Sequence, residues 1–174
     1  MAVLISLSGL PGVGKTTVAR ELAQQITAVH LRVDTVEAAL RRSTLRIHPA
    51  EDAGYVVLSS LAADNLVLGL DVIADTVNAV DVTRRLWADT AARSDADLLN
   101  VEVVCSDRAT HRDRVERRAS DIEGMSVPGW AQVSDRTFEP WRQSRILVDT
   151  SQTSAARCAA AIAEAAKTLK ATAR

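Results

Sequence analysis

The 174-residue chain carries 21 basic and 22 acidic side chains, and its formal net charge of −1 excludes the broad positive field by which many proteins hold nucleic acid nonspecifically. Its length suits one domain. The two cysteines, Cys105 and Cys158, show no CxxC or Cys/His ligand spacing, which disfavours a disulfide framework or a zinc site. The chain has no apolar run of about 18 residues and no basic leader before its apolar start, so we expect a soluble cytoplasmic protein.

Short apolar runs alternate along the chain with longer segments of helical period, which predicts strand–helix units around a parallel sheet. The predicted strands are residues 3–8, 29–33, 70–74, 98–105 and 145–148. The predicted helices are residues 15–27, 35–42, 55–68, 79–92, 109–118, a short one around 130–138, and 155–171. The weakly patterned segments 43–54 and 120–129 contain glycine and proline and are predicted to be mobile loops or lid edges.

The sequence GLPGVGKTT, residues 9–17, matches the pattern G-x-x-x-x-G-K-[ST] in full, between a predicted strand and a predicted helix. Its glycines let backbone N–H groups, with the helix dipole behind them, point at phosphates. We expect Lys15, facing solvent, to reach the β- and γ-phosphates and the Thr16 hydroxyl to hold Mg²⁺. The residues expected to bind nucleotide are Gly9, Pro11, Gly12, Val13, Gly14, Lys15, Thr16 and Thr17. The chain contains no N/T-K-x-D motif, which disfavours a GTPase.

Asp34 directly follows the second predicted strand, at the sheet edge where open α/β folds bind ligands. With the phosphate loop, it makes the chain resemble the small P-loop kinases, which include chloramphenicol phosphotransferase, gluconate kinase, polynucleotide kinase and uncharacterised bacterial kinase-like ATPases. The resemblance implies that Asp34 accepts the proton of a substrate hydroxyl during phosphoryl transfer. The alternative is that Asp34 caps the following helix.

The same resemblance implies the fold. It is an α/β fold, the P-loop NTPase three-layer α/β/α sandwich, with a five-stranded parallel sheet and an Arg-rich lid. We expect one P-loop kinase-like domain over residues 1–174, with the lid at about 108–128.

The third predicted strand continues into VIADTVN, residues 72–78, which resembles the strand that ends in Asp-Thr-Asn in polynucleotide kinases. Asp75 stands where a Walker B acid would lie, so the resemblance implies that it holds a magnesium-bound water or a substrate hydroxyl. Asp34, Asp75 and Asn78 are the expected substrate-binding residues, and Thr16 and Asp75 the expected metal residues. Helix capping by Asp75, Thr76 or Asn78 is the alternative.

Five arginines follow the fourth predicted strand, at positions 108, 112, 114, 117 and 118. On a helix, Arg114, Arg117 and Arg118 share one face with His111. The resemblance places the lid here, and Arg114 and Arg118 best match its phosphate-covering arginines. The alternative is a solvated helix laced with pairs such as Asp113 with Arg117.

Three aromatic residues, Trp130, Phe138 and Trp141, lie close together in the sequence after the expected lid. Base stacking is one possible role, but packing is the interpretation we favour. The three histidines show no ligand spacing and receive no role.

The expected function is therefore that of an ATP- and Mg²⁺-dependent kinase, with Lys15, Asp34, Arg114 and Arg118 as catalytic residues. It would move the γ-phosphoryl group to a hydroxyl of a small molecule, and nucleic acid is not the expected partner. Two alternatives remain open. One is a polynucleotide or nucleoside 5′-hydroxyl kinase, and the other is an ATP-binding switch that hydrolyses ATP slowly and signals through a partner.

Overall fold

The central sheet of this computed structural model, which describes residues 1–172, contains five strands within those residues, and neighbouring strands are parallel. They are β1 (Val3–Ser8), β2 (Val29–Arg32), β3 (Val72–Asp75), β4 (Asp97–Val104) and β5 (Ile146–Asp149), in the spatial order β2-β3-β1-β4-β5. Each predicted strand is confirmed, with its ends shifted by two residues or fewer.

Seven helices occur in the same residues, and each corresponds to a predicted one. They are α1 (Lys15–Ile26), α2 (Val33–Arg42), α3 (Ala53–Val67), α4 (Asp81–Arg93), α5 (Arg108–Arg117), α6 (Trp130–Ser134) and α7 (Ala155–Thr172). Helix α6 is shorter than predicted. Its last backbone bonds are those of Asp135 to Ala131 and Arg136 to Val133, and the chain then leaves the helix for tertiary contacts such as the bond from the Glu139 N–H to the Ala79 carbonyl. Across residues 1–172, helices with the length and apolar character needed to cross a membrane are absent.

The sheet is covered on both faces, which explains why every side chain of β1 is buried. On one face, Ile5 and Leu7 of β1 pack with Leu22 of α1 and Ile162 of α7. On the other face, Leu4 packs in a second cluster that includes buried residues of α3 and α4. The result is the expected three-layer α/β/α sandwich, with the carboxyl ends of β1, β2 and β3 side by side at one edge.

Candidate nucleotide and acceptor site

The phosphate loop joins β1 to α1 and depends on glycine at two close approaches. Gly9 and Gly12 have φ angles of 144° and 85°, in the region that favours glycine. A Cβ at Gly9 would lie 2.2 Å from the carbonyl oxygen of Val103, and one at Gly12 would lie 2.4 Å from a methyl carbon of Val115. The loop therefore packs directly on β4 and α5, and α1 begins at its end with free N–H groups available to an anion.

Lys15 is buried, with 8% of its surface exposed, contrary to the expectation that it faces solvent. Its ammonium group donates hydrogen bonds to the carbonyls of Gly9 (2.8 Å) and Leu10 (3.0 Å). Burial lowers the pKa of Lys15 from 10.5 to about 8, although the charges of Asp75 and Asp34 oppose the shift. A phosphate bound at the loop would place a negative charge next to this buried ammonium and raise its pKa.

A cavity of about 1030 Å³ opens at the carboxyl edge of the sheet. Its size is sufficient for a nucleotide and a small second molecule. The expected site residues that line it are Pro11, Gly12, Gly14, Lys15, Thr16, Thr17, Asp34, Asp75, Arg114 and Arg118. Among the described residues, Gly9, Val13 and Asn78 do not line it, and Val13 belongs to the core beside α1.

Asp75 lies at the end of β3, directly opposite Arg32 in the strand register. Its Oδ2 atom is 3.2 Å from Nε2 of His30 and 3.8 Å from Nε of Arg32. Burial by itself would raise the pKa of Asp75, but the hydrogen bond with His30, the charge of Lys15 and the Thr16 hydroxyl together lower it. Asp75 is therefore a buried carboxylate that stays ionised at neutral pH.

The oxygen atoms of Thr16 and Asp75 fit the needs of Mg²⁺. The Thr16 hydroxyl acts on the Asp75 carboxylate and lowers its pKa, and both residues line the cavity. His30 and Arg32 both approach Oδ2, so the second carboxylate oxygen is free of these two partners. Mg²⁺ usually takes one or two protein oxygens and completes its shell with water and substrate phosphates, which matches this donor set.

Asp34 lies in the first turn of α2 and faces the same cavity. The helix N-cap is Arg32, and within the described part of the chain no side chain caps it, so the capping alternative does not hold for Asp34. Burial and then the charge of Asp75 raise the pKa of Asp34, while Lys15, Arg32 and Arg118 act in the opposite direction. The site thus contains a carboxylate that is more basic than usual, within electrostatic reach of the lysine of the phosphate loop.

Asn78 belongs to the core, contrary to the expectation that it binds substrate. Its side chain is buried and donates from Nδ2 to the hydroxyl of Ser6 (2.8 Å), while its Oδ1 accepts a hydrogen bond from the indole of Trp87 (3.2 Å). Its backbone N–H donates to the Tyr55 hydroxyl (3.1 Å). The capping alternative also fails, because α4 is capped at Val80 without a side-chain bond from the described residues. Asn78 therefore ties β1, β3 and α4 together.

Arg114 and Arg118 reach the cavity from the end of α5. Arg114 donates from Nη1 to the Thr150 hydroxyl (2.8 Å) and from Nη2 to the Thr150 carbonyl (3.1 Å), which fixes its guanidinium beside the turn after β5. The charge of Arg118 lowers the pKa of both Lys15 and Asp34, so it acts on the phosphate loop and on α2.

The other arginines of α5 do not line the cavity. Arg112 pairs with Glu116 at 2.8 Å and Arg117 pairs with Asp113 at 2.6 Å, each one helical turn apart. Arg108 lies over the ring of Trp130 at 5.6 Å. The solvated-helix interpretation therefore describes Arg112 and Arg117, whereas the lid interpretation fits Arg114 and Arg118.

The segment after α5, residues 118–128, lines the cavity and is held in place by ion pairs. Both terminal nitrogens of Arg32 donate to Asp121 at 3.0 Å, and Arg20 of α1 pairs with the same carboxylate. These hydrogen bonds hold the pKa of Asp121 well below its usual range. Further along, Glu123 pairs with Arg42 of α2 at 2.8 Å. Because Asp121 is about half exposed, these contacts hold the segment in place with little stability gain.

The aromatic residues agree with the packing interpretation. The ring of Trp130 meets His111 edge-on at 5.2 Å, and His111 Nε2 is 2.8 Å from the Pro11 carbonyl of the phosphate loop. Phe138 and Trp141 lie against the guanidinium of Arg84, at 5.2 and 4.2 Å.

Sequence reasoning missed several residues of the site. His30 and Arg32 contact Asp75, Thr150 anchors Arg114, and Glu37 and Tyr55 line the cavity. His30 and Arg32 alternate along β2, which puts both side chains on one face of the strand. This pattern indicates contact with Asp75 only when the pairing of β2 with β3 is known.

Comparison with known proteins identifies a matching family and similar folds. The family model described as AAA domain (AAA_33) matches residues 4–145, and no curated protein matches the chain in sequence. Structurally similar proteins include the Mycobacterium tuberculosis APS kinase CysC in complex with AMPPNP and APS, at 15% identity and a TM-score of 0.70, covering 94% of this chain and 96% of that one.

Two further solved structures share the fold. One is a gluconokinase from Sinorhizobium meliloti 1021, at 18% identity and a TM-score of 0.66, covering 98% of this chain and 97% of that one. The other is Chaetomium thermophilum Kti12 in complex with ADP-AlF3, at 23% identity and a TM-score of 0.69, covering 94% of this chain and 98% of that one. The chain therefore belongs to the AAA domain family AAA_33, and its fold is that of the small P-loop kinases.

Proposed function

We propose that the protein is a cytoplasmic ATP- and Mg²⁺-dependent kinase that phosphorylates a hydroxyl group of a small molecule. One observation carries the proposal: a single cavity joins Lys15 of the phosphate loop, the ionised Asp75 and the basic carboxylate of Asp34. Nucleotide binding alone would not require a second carboxylate, of raised pKa, in the cavity beside the phosphate loop. An acceptor hydroxyl does require such a group.

The phosphate end of the site would bind and orient the nucleotide. The N–H groups of the loop and of the first turn of α1 hold the β- and γ-phosphates, and the Lys15 ammonium turns from the loop carbonyls toward the γ-phosphate. Thr16 and Asp75 would hold Mg²⁺, which neutralises phosphate charge during transfer. Arg114 and Arg118 add positive charge from the lid side.

Asp34 would orient the acceptor hydroxyl and take its proton. Its carboxylate accepts a hydrogen bond from the acceptor hydroxyl and takes the proton as the acceptor oxygen bonds to the γ-phosphorus. The bond from that phosphorus to the β–γ bridging oxygen breaks, and ADP leaves with the bridging electron pair. A carboxylate that is held in place and is more basic than usual is suited to this role.

An ADP-release assay with and without added acceptors tests the proposal. Amino sugars, neutral sugars and polyols, and sugar acids are supplied as separate pools, and we expect turnover to rise with at least one of them. The proposal is refuted if the protein binds ATP but hydrolyses it at one rate whichever pool is present. An added oligonucleotide with a free 5′-hydroxyl tests the polynucleotide kinase alternative in the same assay.

The switch alternative has one observation in its favour. Arg32 contacts both Asp75, beside the proposed metal position, and Asp121 of the lid segment. The state of the nucleotide could thereby be transmitted to the lid without any acceptor. This class predicts slow hydrolysis that is unaffected by Asp34→Asn.

A further inference from the structure

The cavity is lined by both cationic and anionic side chains. Two of its carboxylates lie among the cations, since Asp75 contacts Arg32 and Asp121 pairs with Arg20 and Arg32. Five cationic side chains line it around the phosphate loop and under the lid, namely Lys15, Arg20, Arg32, Arg114 and Arg118. On the α2 side, beyond Asp34, a second carboxylate lines the wall, that of Glu37. Arg136, which is exposed, also lines the cavity, and its charge acts on both Lys15 and Glu37.

Asp34 and Glu37 lie three residues apart on α2 and both line the cavity. Side chains at this spacing on a helix are neighbours, with their Cβ atoms about 5–6 Å apart. Glu37 therefore stands next to the proposed proton acceptor, one helical turn further along α2. It also lines a smaller adjoining pocket of about 270 Å³, so it forms a wall between two spaces.

The Glu37 side chain packs closely against a glycine of α3. Gly54, a buried residue in the first turn of α3, lies directly behind it. A Cβ at Gly54 would be 2.8 Å from Cγ and 3.0 Å from Oε1 of Glu37. The next residue, Tyr55, also lines the cavity, and its hydroxyl is fixed by the backbone N–H of Asn78. The wall that carries Glu37 is therefore packed and has little freedom to rearrange.

The charge of Glu37 is poorly compensated. Burial first and then the charge of Asp34 raise its pKa, with Arg136 and Arg41 opposing. Arg41 is also engaged with His48, at 3.3 Å between Nη2 and Nδ1. A hydrogen-bond donor or a cation placed between Asp34 and Glu37 would relieve this repulsion, whereas an anion would increase it.

We propose that Glu37 determines acceptor specificity, selecting a neutral or cationic hydroxyl compound that offers a second hydroxyl or ammonium group next to the reacting hydroxyl, and rejecting anionic acceptors. This inference rests on the proposed kinase function. The protein should therefore reject acceptors that carry a carboxylate, sulfate or phosphate next to the reacting hydroxyl.

The first test compares three acceptor pools in the ADP-release assay at saturating ATP. The pools are amino sugars and amino alcohols, neutral sugars and polyols, and sugar acids with sugar phosphates. We expect the amino or neutral pool to be used and the anionic pool to be rejected. Preference for the anionic pool overturns the role of Glu37 while leaving the kinase function intact. Failure of all three pools, with ATP still bound, overturns the proposed function as a small-molecule kinase.

The second test changes Glu37 and uses Glu164→Gln, on the exposed surface of α7, as the matched control. Glu37→Gln should raise the KM for the preferred acceptor by about 10- to 100-fold, the usual cost of losing a charged hydrogen bond. The KM for ATP and the melting temperature should stay unchanged. Gly54→Ala should raise the acceptor KM in the same direction, because its methyl group displaces the Glu37 side chain.

The charge reversal Glu37→Arg separates recognition from a purely structural effect. If Glu37 recognises the acceptor, this variant should lose the amino pool and gain activity with the anionic pool, at an unchanged KM for ATP. Equal loss with every pool would mean that Glu37 only supports the fold. An unchanged acceptor KM in Glu37→Gln would likewise refute the inference.

Discussion

Burial of the Lys15 ammonium has a consequence for stability that can be measured without a substrate. Its pKa is about 8 in the folded protein and 10.5 when fully solvated. Between these values the unfolded state binds more protons, so the stability of the wild-type protein should rise with pH. At 1.36 kcal/mol for each pH unit, the gap corresponds to a rise of about 3 kcal/mol between pH 7 and pH 10.5. Lys15→Met lacks the titrating group and should lack this rise.

The assay is urea unfolding of both proteins at pH 7 and pH 10.5, without nucleotide or divalent metal. The advantage of Lys15→Met over the wild type should shrink by about 3 kcal/mol at the higher pH. Subtraction removes the titration of groups that the two proteins share. Lys167→Met, which removes a lysine with 68% of its side chain exposed, serves as the surface control. A pH-independent difference for Lys15→Met would refute the burial of its charge.

Three further predictions concern the loop and the lid. Arg118→Ala should lower kcat by about 10- to 100-fold with an unchanged melting temperature, whereas Arg114→Ala should lower both, because it also loses its bonds to the turn after β5. Gly12→Ala should weaken ATP binding in a titration and destabilise the fold by at least about 1 kcal/mol, since its methyl group would meet Val115 at an unfavourable φ. Asp121→Asn should speed ADP release in stopped-flow experiments while changing stability by about 1 kcal/mol or less. Normal kcat in both arginine variants, normal ATP affinity in Gly12→Ala, or unchanged ADP release in Asp121→Asn would each contradict the role assigned to that residue.

The fold was predictable because its signals are local. Apolar runs of strand length alternate with helical periods, and the phosphate loop fixes where β1 ends and α1 begins. Helix α6 was overestimated because the chain beyond it makes tertiary contacts with distant parts of the chain, such as the bond from Glu139 to Ala79. Composition and period carry no information about such a contact.

The site was only partly predictable. Asp34 and Asp75 follow the ends of neighbouring parallel strands, so their meeting at one edge could be expected from the sequence. Asn78 was misassigned because its backbone turns into the left-handed region, with a φ of 52°, and its side chain is bound by Ser6 and Trp87 in the core. Glu37 could not be found from the sequence, since its position depends on the packing of α3 against α2.

The most direct test of the proposed function is acceptor-dependent ADP release by Asp34→Asn, beside a melting curve of the same preparation. The substitution keeps the size of the side chain and removes its basicity. Because burial raises the pKa of Asp34, its charged form is disfavoured in the fold, and the variant should be at least as stable as the wild type at pH 7. We predict unchanged ATP affinity and a loss of acceptor phosphorylation of at least about 100-fold. Full acceptor-dependent activity in this variant would contradict the general-base role of Asp34, and early melting would return Asp34 to a structural role.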